Sequence, residues 1–365
     1  MHIVISGYFG FDNVGDEAIL YSIIESLRAV KPNVNITVLS NNPVSTSRTY
    51  NVQAVNRRKL KEITQAIRSS DGLISGGGSL LQDKTGMLTI PYYTGVMRIA
   101  KFLNKPVFIY AQGMGPISSK LNKWLVKTTL NNVSQITVRD EASKQLLTDI
   151  GVTSTAPIVP DPVLGLDQAS FSHNWKTSEH LRPFITVSIR DWPTKQAYHK
   201  KVATCLDYLV QHGYDIVFVP MHGKQDAVQS KKTADLMKEK SYLFPSDASI
   251  QEKIAIIGDS QLLIGMRLHS LIFSAICTTP FVALSYDPKI DAFASLCDQP
   301  VIGHVEKDDW GSDDLWETIR RILSMEEWKQ AELRRKVSEH QHNAKKTPEM
   351  VFETFIQELK CEQSY

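Results

Sequence analysis

Short apolar runs alternate with segments of helical periodicity along most of this chain, and this alternation restricts the fold more than any other feature of the sequence. A short apolar run bounded by turn residues predicts a buried strand, whereas apolar residues spaced three and four apart predict a helix. Strand followed by helix, repeated many times, predicts a parallel sheet covered by helices on both faces.

The alternation forms two series. The first predicts strands at 3–6, 35–39, 72–75, 107–111 and 136–138, and helices at 16–29, 60–67, 92–103, 124–130 and 141–150. The second predicts strands at 184–189, 215–219, 261–264 and 281–285, and helices at 196–211, 227–239, 250–257 and 268–276. Between 157 and 182 the chain is rich in Pro, Asp, Ser and His and the alternation is lost, which is typical of a linker.

We therefore predict an α/β fold of two doubly wound Rossmann-like domains facing a cleft. The amino-terminal domain spans 1–165, the linker 166–182 and the carboxyl-terminal domain 183–345, and 346–365 form a final helix or tail. From residue 310 onward the chain is helical and charged. The sequence leaves open whether its end packs on its own domain, on the other domain or on a second subunit, so it gives no oligomeric state.

Composition and charge exclude several functions. The 365 residues carry a net charge of +2, so nothing indicates a nucleic-acid partner. Four cysteines lack metal-binding spacing and predict reduced thiols, no metal site and a cytoplasmic protein: Cys205, Cys277, Cys297 and Cys361. The chain opens directly into a predicted strand, and polar residues interrupt its longest apolar region, so neither a signal peptide nor a transmembrane span is predicted. A pI near 8.2 leaves peripheral contact with anionic lipid open.

The turn around Arg267 and His269 is the strongest candidate for chemistry. It follows the predicted strand 261–264 and opens the predicted helix 268–276, and open α/β sheets bind their ligands at such turns. A guanidinium offers a planar fork to a carboxylate or phosphate, and an imidazole exchanges a proton near neutral pH. The pair suits an anionic substrate that undergoes proton transfer. The alternative is structural: Arg267 fixes the helix end and His269 is a satisfied buried group.

Basic residues recur after other predicted strands. Arg139 follows 136–138, Arg190 follows 185–189, Lys289 follows 285–288, and His222 is a weaker candidate of the same kind. Each projects toward the carboxyl edge of its sheet. A solvated or ion-paired role is the alternative for any one of them, but their recurrence at that edge favours an anion site.

Three loops of the first half have a different character. The loop 7–18 lacks the spacing of a dinucleotide site or a P-loop, and its acidic residues in the first helical turn would repel phosphate. We expect a neutral ligand such as a sugar there, with Asn13 and Asp16 bonding hydroxyls; the alternative is a simple capped helix. Glycine-rich loops at 75–83 and 111–116 add Gly77, Gly78 and Gln112 as substrate-binding candidates.

These segments together resemble the polysaccharide pyruvyl transferase family. The resemblance rests on residues 6–18, 74–83, 110–116, 138–140, 265–274 and 285–289, and within the family it is closest to the bacterial CsaB branch. It implies a GT-B-like fold, phosphoenolpyruvate as donor, and a 4,6-linked pyruvate ketal on N-acetylmannosamine as product. It further implies a lipid-linked acceptor for secondary cell wall polysaccharide at the inner face of the membrane, and neither a metal nor a nucleotide cofactor.

The resemblance also suggests roles for the candidate residues. Arg267, Lys289 and one or both of Arg139 and Arg190 would clamp phosphoenolpyruvate through charge-assisted hydrogen bonds. His269 would act as general acid, protonating either carbon 3 or the leaving phosphate. Two rival hypotheses are a nucleotide-sugar glycosyltransferase, which the fold alone supports, and a protein that binds anions without reaction.

Overall fold

Two parallel sheets, each flanked by helices, make up the protein in a computed structural model that describes residues 1–84, 86–175 and 181–362. The side chains of residues 170, 326, 361 and 362 lie outside this description, and the prediction for Cys361 with them. By its contacts the chain divides into two units. The first is Met1–Gly165 together with the segment from His342 onward, and the second is Leu166–Gln341.

The first unit contains a seven-stranded sheet. Its strands are β1 (His2–Ser6), β2 (Asn35–Ser40), β3 (Gln53–Asn56), β4 (Gly72–Ser75), β5 (Gly78–Leu81), β6 (Val107–Met114) and β7 (Gln135–Val138). Its helices are α1 (Val14–Val30), α2 (Pro43–Tyr50), α3 (Leu60–Arg68), α4 (Thr89–Phe102), α5 (Lys120–Leu130) and α6 (Glu141–Asp149), and a 3₁₀ turn follows at Pro162–Gly165. The strand order is β3-β2-β1-β4-β6-β5, with β7 also paired to β6.

The second unit contains a six-stranded sheet. It begins with a 3₁₀ turn at Gln168–Ser170, and its strands are β8 (Phe184–Ser188), β9 (Asp215–Phe218), β10 (Tyr242–Leu243), β11 (Leu262–Gly265), β12 (Phe281–Ser285) and β13 (Val301–His304). Its helices are α7 (Tyr198–Gln211), α8 (Gly223–Ala234), α9 (Ile250–Gly258), α10 (Leu268–Ile276), α11 (Pro288–Leu296), α12 (Ser312–Leu323) and α13 (Glu326–Ala344), of which the part from His342 onward is grouped with the first unit. The order β10-β9-β8-β11-β12-β13 is that of a doubly wound dinucleotide-type sheet.

The prediction of an α/β fold with two doubly wound parallel sheets is confirmed. The central strands are buried along their length because helices cover both faces, which explains their continuous apolar runs. Helix ends follow the local sequence: the Asn13 side chain accepts from the Gly15 N–H at the start of α1, and Gly151 takes a left-handed conformation just past α6.

Several elements were missed because they lack a clear period. Helix α2 has few apolar residues, β5 begins at a glycine, and α11 begins at Pro288, where no helix was predicted. The segments 75–83 and 111–116 were predicted to be loops, but both contain strand residues. β5 occupies part of the first, and β6 runs through the second as far as Met114. Strand β4 pairs with 107–109 of β6 and β5 with Gln112 and Met114, which places Gln112 in a strand.

The carboxyl-terminal helix α14 (Thr347–Glu362) packs against α1. The sequence left open where the end of the chain packs, and in the structure it packs on the first unit. The Phe355 ring is fully buried and lies over Gly72, where a Cβ atom would come within 2.5 Å of it. The stretch expected to be a linker is grouped with the second unit, and its residues 176–180 lie outside the described part of the chain. Among the described residues, no helix is both long and apolar enough to cross a membrane.

The three cysteines whose side chains are described are free thiols. Burial raises the pKa of Cys277 and Cys297 to about 12 and also raises that of Cys205. They are therefore protonated at neutral pH and poor nucleophiles.

Candidate functional site

The second sheet gathers five predicted residues at one edge. Strands β8 and β11 are neighbours from which the chain continues in opposite directions, and ligands bind at this kind of switch point. Strands β9, β8, β11 and β12 are adjacent in that order. His222 follows β9, Arg190 follows β8, Arg267 and His269 follow β11, and Lys289 follows β12. The recurrence of basic residues after strands thus becomes a spatial cluster at one edge.

Arg190 and Lys289 meet at one aromatic ring. The guanidinium carbon of Arg190 lies 4.5 Å from the ring centre of Tyr286, and the Lys289 ammonium lies 6.0 Å from it. Trp192 packs on the same tyrosine at 4.7 Å and donates its indole N–H to Glu306. A cation on an aromatic face keeps its hydrogen-bonding edge available. This edge of the sheet therefore presents two cations held by rings.

Of these two cations, Lys289 has a carboxylate partner and Arg190 does not have one among the described residues. Lys289 lies 3.4 Å from a carboxylate oxygen of Asp287, which also caps α11. Arg190 donates to the Asp191 carbonyl, and among the described residues no carboxylate forms an ion pair with it. Arg190 is therefore the cation of this cluster best able to accept an anion.

Arg267 has a partner that the sequence analysis did not identify. Its Nε and Nη2 donate to the two carboxylate oxygens of Asp226, over 2.9 Å and 2.6 Å. Asp226 lies on α8, is 1 % exposed and also accepts from the Met221 N–H. The two-pronged pair fixes the guanidinium plane and uses part of its donor fork internally. A role for Arg267 toward phosphoenolpyruvate stays a prediction.

His269 lies two residues after Arg267 in the first turn of α10 and is half-buried. The turn before it is tight: a Cβ atom on Gly265 would come within 2.5 Å of the Leu271 side chain. Glycine at this place lets the strand pass directly into the helix. His222 is also half-buried and directly precedes α8, next to Met221.

A buried lysine near Asp226 adds a further positive charge to this region. Lys253 on α9 is 1 % exposed and donates to the Ser246 carbonyl over 2.9 Å. Burial lowers the pKa of Lys253 to about 8, and the nearby carboxylates, Asp226 first among them, oppose that fall. Asp226 therefore faces two cations, Arg267 and Lys253. In the sequence, Lys253 is marked only by its position, because it occupies a place in the helical spacing of α9 where an apolar residue is expected.

The first unit brings together four other predicted residues at its own switch point, between β1 and β4. The Asn13 amide donates to the Asp16 carboxylate at the start of α1. Gly78 has φ of +88°, and a Cβ atom on it would come within 2.9 Å of Asp16. A Cβ atom on Gly77 would meet Ile19 of α1 at 3.0 Å. The glycines thus let the sheet approach α1 closely, which is the structural alternative for them.

Gln112 lies opposite Gly78 in the strand pairing and is fully buried. Neither its amide oxygen nor its amide nitrogen has a hydrogen-bond partner among the described residues. The hydroxyls of Ser6 and Ser75, which face each other across β1 and β4, are likewise buried without one. Buried polar groups of this kind are uncommon and call for a partner such as water or substrate.

Glu17 holds the loop 7–18 through hydrogen bonds rather than facing a ligand. Its carboxylate accepts from the Gly10 N–H and from the Tyr50 hydroxyl, each over 2.7 Å. Burial raises the pKa of Glu17, and these hydrogen bonds oppose the rise. This supports the capped-helix alternative for Glu17.

Arg57 was missed by the sequence analysis. Its buried guanidinium donates to the Gly7 carbonyl over 3.0 Å and lies 4.4 Å from the ring centre of Tyr92. Phe11 lies 5.3 Å from it, and Tyr8, a residue that is 39 % exposed, stacks on Phe11 at 4.0 Å. An accessible aromatic face beside polar groups is a suitable platform for a sugar ring.

Arg139 is enclosed within the first unit. Its guanidinium lies 3.3 Å from the Ser79 hydroxyl and 3.5 Å from the buried carboxylate of Asp161. Gly113 makes room for it, because a Cβ atom there would come within 2.5 Å of its Nη2. These contacts tie the end of β7 to β5 and β6. A donor-binding role for Arg139 stays a prediction.

Comparison with known proteins identifies the sequence family. Residues 13–288 match the family model of the polysaccharide pyruvyl transferases. The amylovoran biosynthesis protein AmsJ of Erwinia amylovora is 22 % identical over 358 residues, covering 79 % of this chain and 84 % of that protein.

Solved structures share the fold at low identity. A UDP-GlcNAc 2-epimerase from Neisseria meningitidis bound to UDP-GlcNAc superposes with a TM-score of 0.64 at 12 % identity, covering 98 % of this chain and 100 % of that one. HepE from Anabaena in complex with UDP-glucose gives 0.59 at 12 % identity, with complete coverage of both chains. The fold is thus similar to that of GT-B glycosyltransferases and related epimerases, which by itself carries no chemistry.

Proposed function

Because the chain belongs to the polysaccharide pyruvyl transferase family, we propose that it transfers the pyruvyl group of phosphoenolpyruvate to a saccharide as a cyclic ketal. The observation that carries this proposal is the basic edge of the second sheet, where Arg190, Arg267, His269 and Lys289 follow three adjacent parallel strands. Phosphoenolpyruvate has a carboxylate and a phosphate, and two cations on the Tyr286 ring match a ligand with two anionic ends.

The reaction requires one proton donor and the removal of two hydroxyl protons. Protonation of carbon 3 makes carbon 2 electrophilic, one sugar hydroxyl adds to carbon 2, and the bond from carbon 2 to the phosphate oxygen breaks. A second hydroxyl then adds and closes the ketal. Of the two protons that the hydroxyls lose, one balances the proton added to carbon 3 and the other goes to phosphate.

His269 is the residue suited to the proton donation, to carbon 3 or to the leaving phosphate, because imidazole titrates near neutral pH. The cations around it stabilise the charge that develops on the departing phosphate. Asp226 holds the Arg267 guanidinium in one orientation, and such preorganisation lowers the cost of reaching the transition state. Arg139 is the second candidate for donor binding beside Arg190.

The acceptor in this proposal is held by the first unit. Asn13, Asp16 and the exposed ring of Tyr8 offer hydroxyl partners and a stacking face, and the segments that carry them resemble the CsaB branch. We infer N-acetylmannosamine of a lipid-linked precursor of secondary cell wall polysaccharide, ketalised at positions 4 and 6, and a cytoplasmic site of action. The relative in amylovoran biosynthesis supports a polysaccharide substrate in the coarser sense.

The decisive experiment measures phosphate released from phosphoenolpyruvate with and without a disaccharide containing N-acetylmannosamine. Wild-type protein should release phosphate only when the acceptor is present, and His269→Ala should lower turnover by about a hundredfold to ten-thousandfold. Donor binding, followed by the fluorescence of Trp192 beside Tyr286, should change little in that variant. His212→Ala, an exposed histidine of the same unit, is the matched control.

Two outcomes would contradict the proposal. Equal losses of donor binding and turnover in His269→Ala would make this residue a binding group rather than an acid. Consumption of a UDP-sugar without phosphate release from phosphoenolpyruvate would establish the glycosyltransferase alternative.

A further inference from the structure

One end of the first unit exposes an unusual set of large apolar side chains. Helices α3, α4 and α5 pack side by side, and each begins where a parallel strand ends, so their first turns lie at one edge of the sheet. The apolar side chains at these starts, with their exposed fractions, are Leu60 at 64 %, Met87 at 85 %, Leu88 at 79 %, Leu121 at 63 % and Trp124 at 54 %. We call these five residues the apolar rim.

Hydrogen bonds join two parts of the rim. The Asp83 carboxylate accepts from the backbone N–H groups of Ser118 and Ser119 and from the Asn122 amide, over 2.9 to 3.2 Å. The segment that carries Met87 and Leu88 is thereby tied to the start of α5. These bonds lower the pKa of Asp83 and direct its charge toward backbone donors rather than outward.

Cations surround the rim. Arg58, Lys59 and Lys61 flank Leu60, and Lys120, Lys123 and Lys127 lie on the exposed face of α5 beside Leu121 and Trp124; all six are exposed. The one carboxylate in the first turn of α3, Glu62, is paired with Lys59 at 2.9 Å, and the first turn of α5 contains no acidic residue. Arg98 lies over the Trp124 ring at 5.7 Å. Hydrogen bonds from the Arg98 guanidinium to the Thr128 and Thr129 hydroxyls hold it in that position.

This combination matches an anionic lipid surface better than other partners. Single exposed apolar residues are ordinary, but several at one edge mark an interaction site. Tryptophan and leucine insert at the boundary between headgroups and acyl chains, and flanking lysines and arginines are attracted to anionic headgroups. A nucleic acid would use the cations but would leave Leu60, Met87, Leu88 and Leu121 exposed to water.

We propose that the apolar rim and its six cations dock the first unit onto an anionic bilayer. The proposal extends the proposed function, because it rests in part on the lipid-linked acceptor: docking would hold the protein where such an acceptor resides. The rim lies at the carboxyl edge of the first sheet, the edge at which Asn13 and Asp16 also lie. The docking surface and the proposed acceptor-binding residues thus lie at the same edge of one sheet.

The test is co-sedimentation of the full chain with phosphatidylcholine vesicles, with and without roughly 30 % phosphatidylglycerol. Wild-type protein should bind the anionic vesicles, bind the neutral ones far more weakly, and lose affinity at high salt. Trp124→Ala should weaken binding by about tenfold. Replacing Lys120, Lys123 and Lys127 together by Ala should weaken it by about a hundredfold.

Helix α13 provides matched controls. Trp328 is 53 % exposed, and Arg334, Arg335 and Lys336 are three exposed cations on that helix, with Glu332 and Glu339 on either side of them. Trp328→Ala and the triple alanine variant of those cations remove the same groups and should leave vesicle binding within about twofold of wild type.

Either of two results overturns the proposal: no binding to anionic vesicles, or equal losses in the α5 and α13 variants. Capture of an acidic protein in place of vesicles would assign the surface to a protein partner. Phosphate release with a soluble disaccharide should be unchanged in all these variants. Failure of docking and failure of the proposed reaction are therefore separate results.

Discussion

Asp226 on α8 and Arg267 at the start of α10 form a two-pronged ion pair, with nitrogen–oxygen distances of 2.9 Å and 2.6 Å. The Asp226 side chain is 1 % exposed, and the Arg267 side chain is 17 % exposed. The pair joins helices that follow β9 and β11, two strands that are not neighbours in the sheet. It sets the orientation of the arginine next to His269.

Removing one member of this pair should be costly. Asp226→Ala leaves a largely buried guanidinium without its carboxylate, so we expect the free energy of unfolding to fall by about 3–5 kcal/mol in urea titrations. Asp226→Ala combined with Arg267→Met should recover part of that loss. The control is Glu317→Ala, because Glu317 pairs with Arg320 at the same 2.6 Å but both side chains are more than half exposed. That change should cost less than about 1 kcal/mol. Similar costs at the two pairs would contradict this account.

Gly113→Ala should displace Arg139. The new Cβ atom would lie 2.5 Å from Nη2 and 2.9 Å from the Ser79 hydroxyl, so the guanidinium would have to leave Asp161 or the strands would have to move. We expect a loss of about 1–3 kcal/mol in the free energy of unfolding. Gly95→Ala in the middle of α4, where nothing lies within 4 Å of the new atom, should instead stabilise by up to about 1 kcal/mol. If Gly113→Ala is neutral, the close packing of Arg139 is not a constraint.

Glu17 should matter through its hydrogen bonds rather than its charge. Glu17→Ala leaves the buried Tyr50 hydroxyl and the Gly10 N–H without their acceptor, which should cost about 2–3 kcal/mol of unfolding free energy. Glu17→Gln keeps an acceptor for Gly10 and a donor for the Tyr50 oxygen, and burial already raises the pKa of this carboxyl. The glutamine variant should therefore be much closer to wild type in thermal unfolding. Equal destabilisation by the two changes would show that the charge is essential.

Lys253 should produce a pH dependence that a methionine abolishes. Burial lowers the pKa of Lys253 from 10.5 to about 8 in the folded protein, so between these values the unfolded chain holds a proton that the folded one has lost. The contribution of this group to stability therefore rises with pH across that interval, by roughly 3 kcal/mol in total. Urea titrations of wild type and Lys253→Met from pH 7 to pH 10.5 measure it as a difference, in which groups common to both proteins cancel. A difference that stays constant with pH would mean that Lys253 is not shifted.

The acceptor side of the proposed reaction is best tested at Tyr8. Its ring stacks on Phe11 and the residue is 39 % exposed, so Tyr8→Ala should raise the KM for the saccharide by about tenfold and leave the KM for phosphoenolpyruvate unchanged. Phe102→Ala, which removes an 88 % exposed ring from the end of α4, is the control. An effect on the donor KM alone would place Tyr8 outside the acceptor site.

Much of the candidate site could be predicted because parallel strands impose a common geometry. Residues that follow strand ends share one edge of the sheet whatever the details of packing, so Arg190, Arg267, His269 and Lys289 lie at the same edge of the second sheet. Arg57 and Lys253 could not be found in this way. Arg57 follows β3, a strand that the sequence analysis did not predict, and Lys253 lies inside a helix. Burial among distant elements is what makes each unusual.

The sequence by itself determined the two doubly wound sheets, since the periods of strands and helices are local properties of the chain. It also determined which basic residues follow strands. Only the tertiary structure decided which charges are already engaged: Asp226 lies 41 residues from Arg267. An ion pair depends on the distance between side chains of separate elements, and no local pattern specifies that distance.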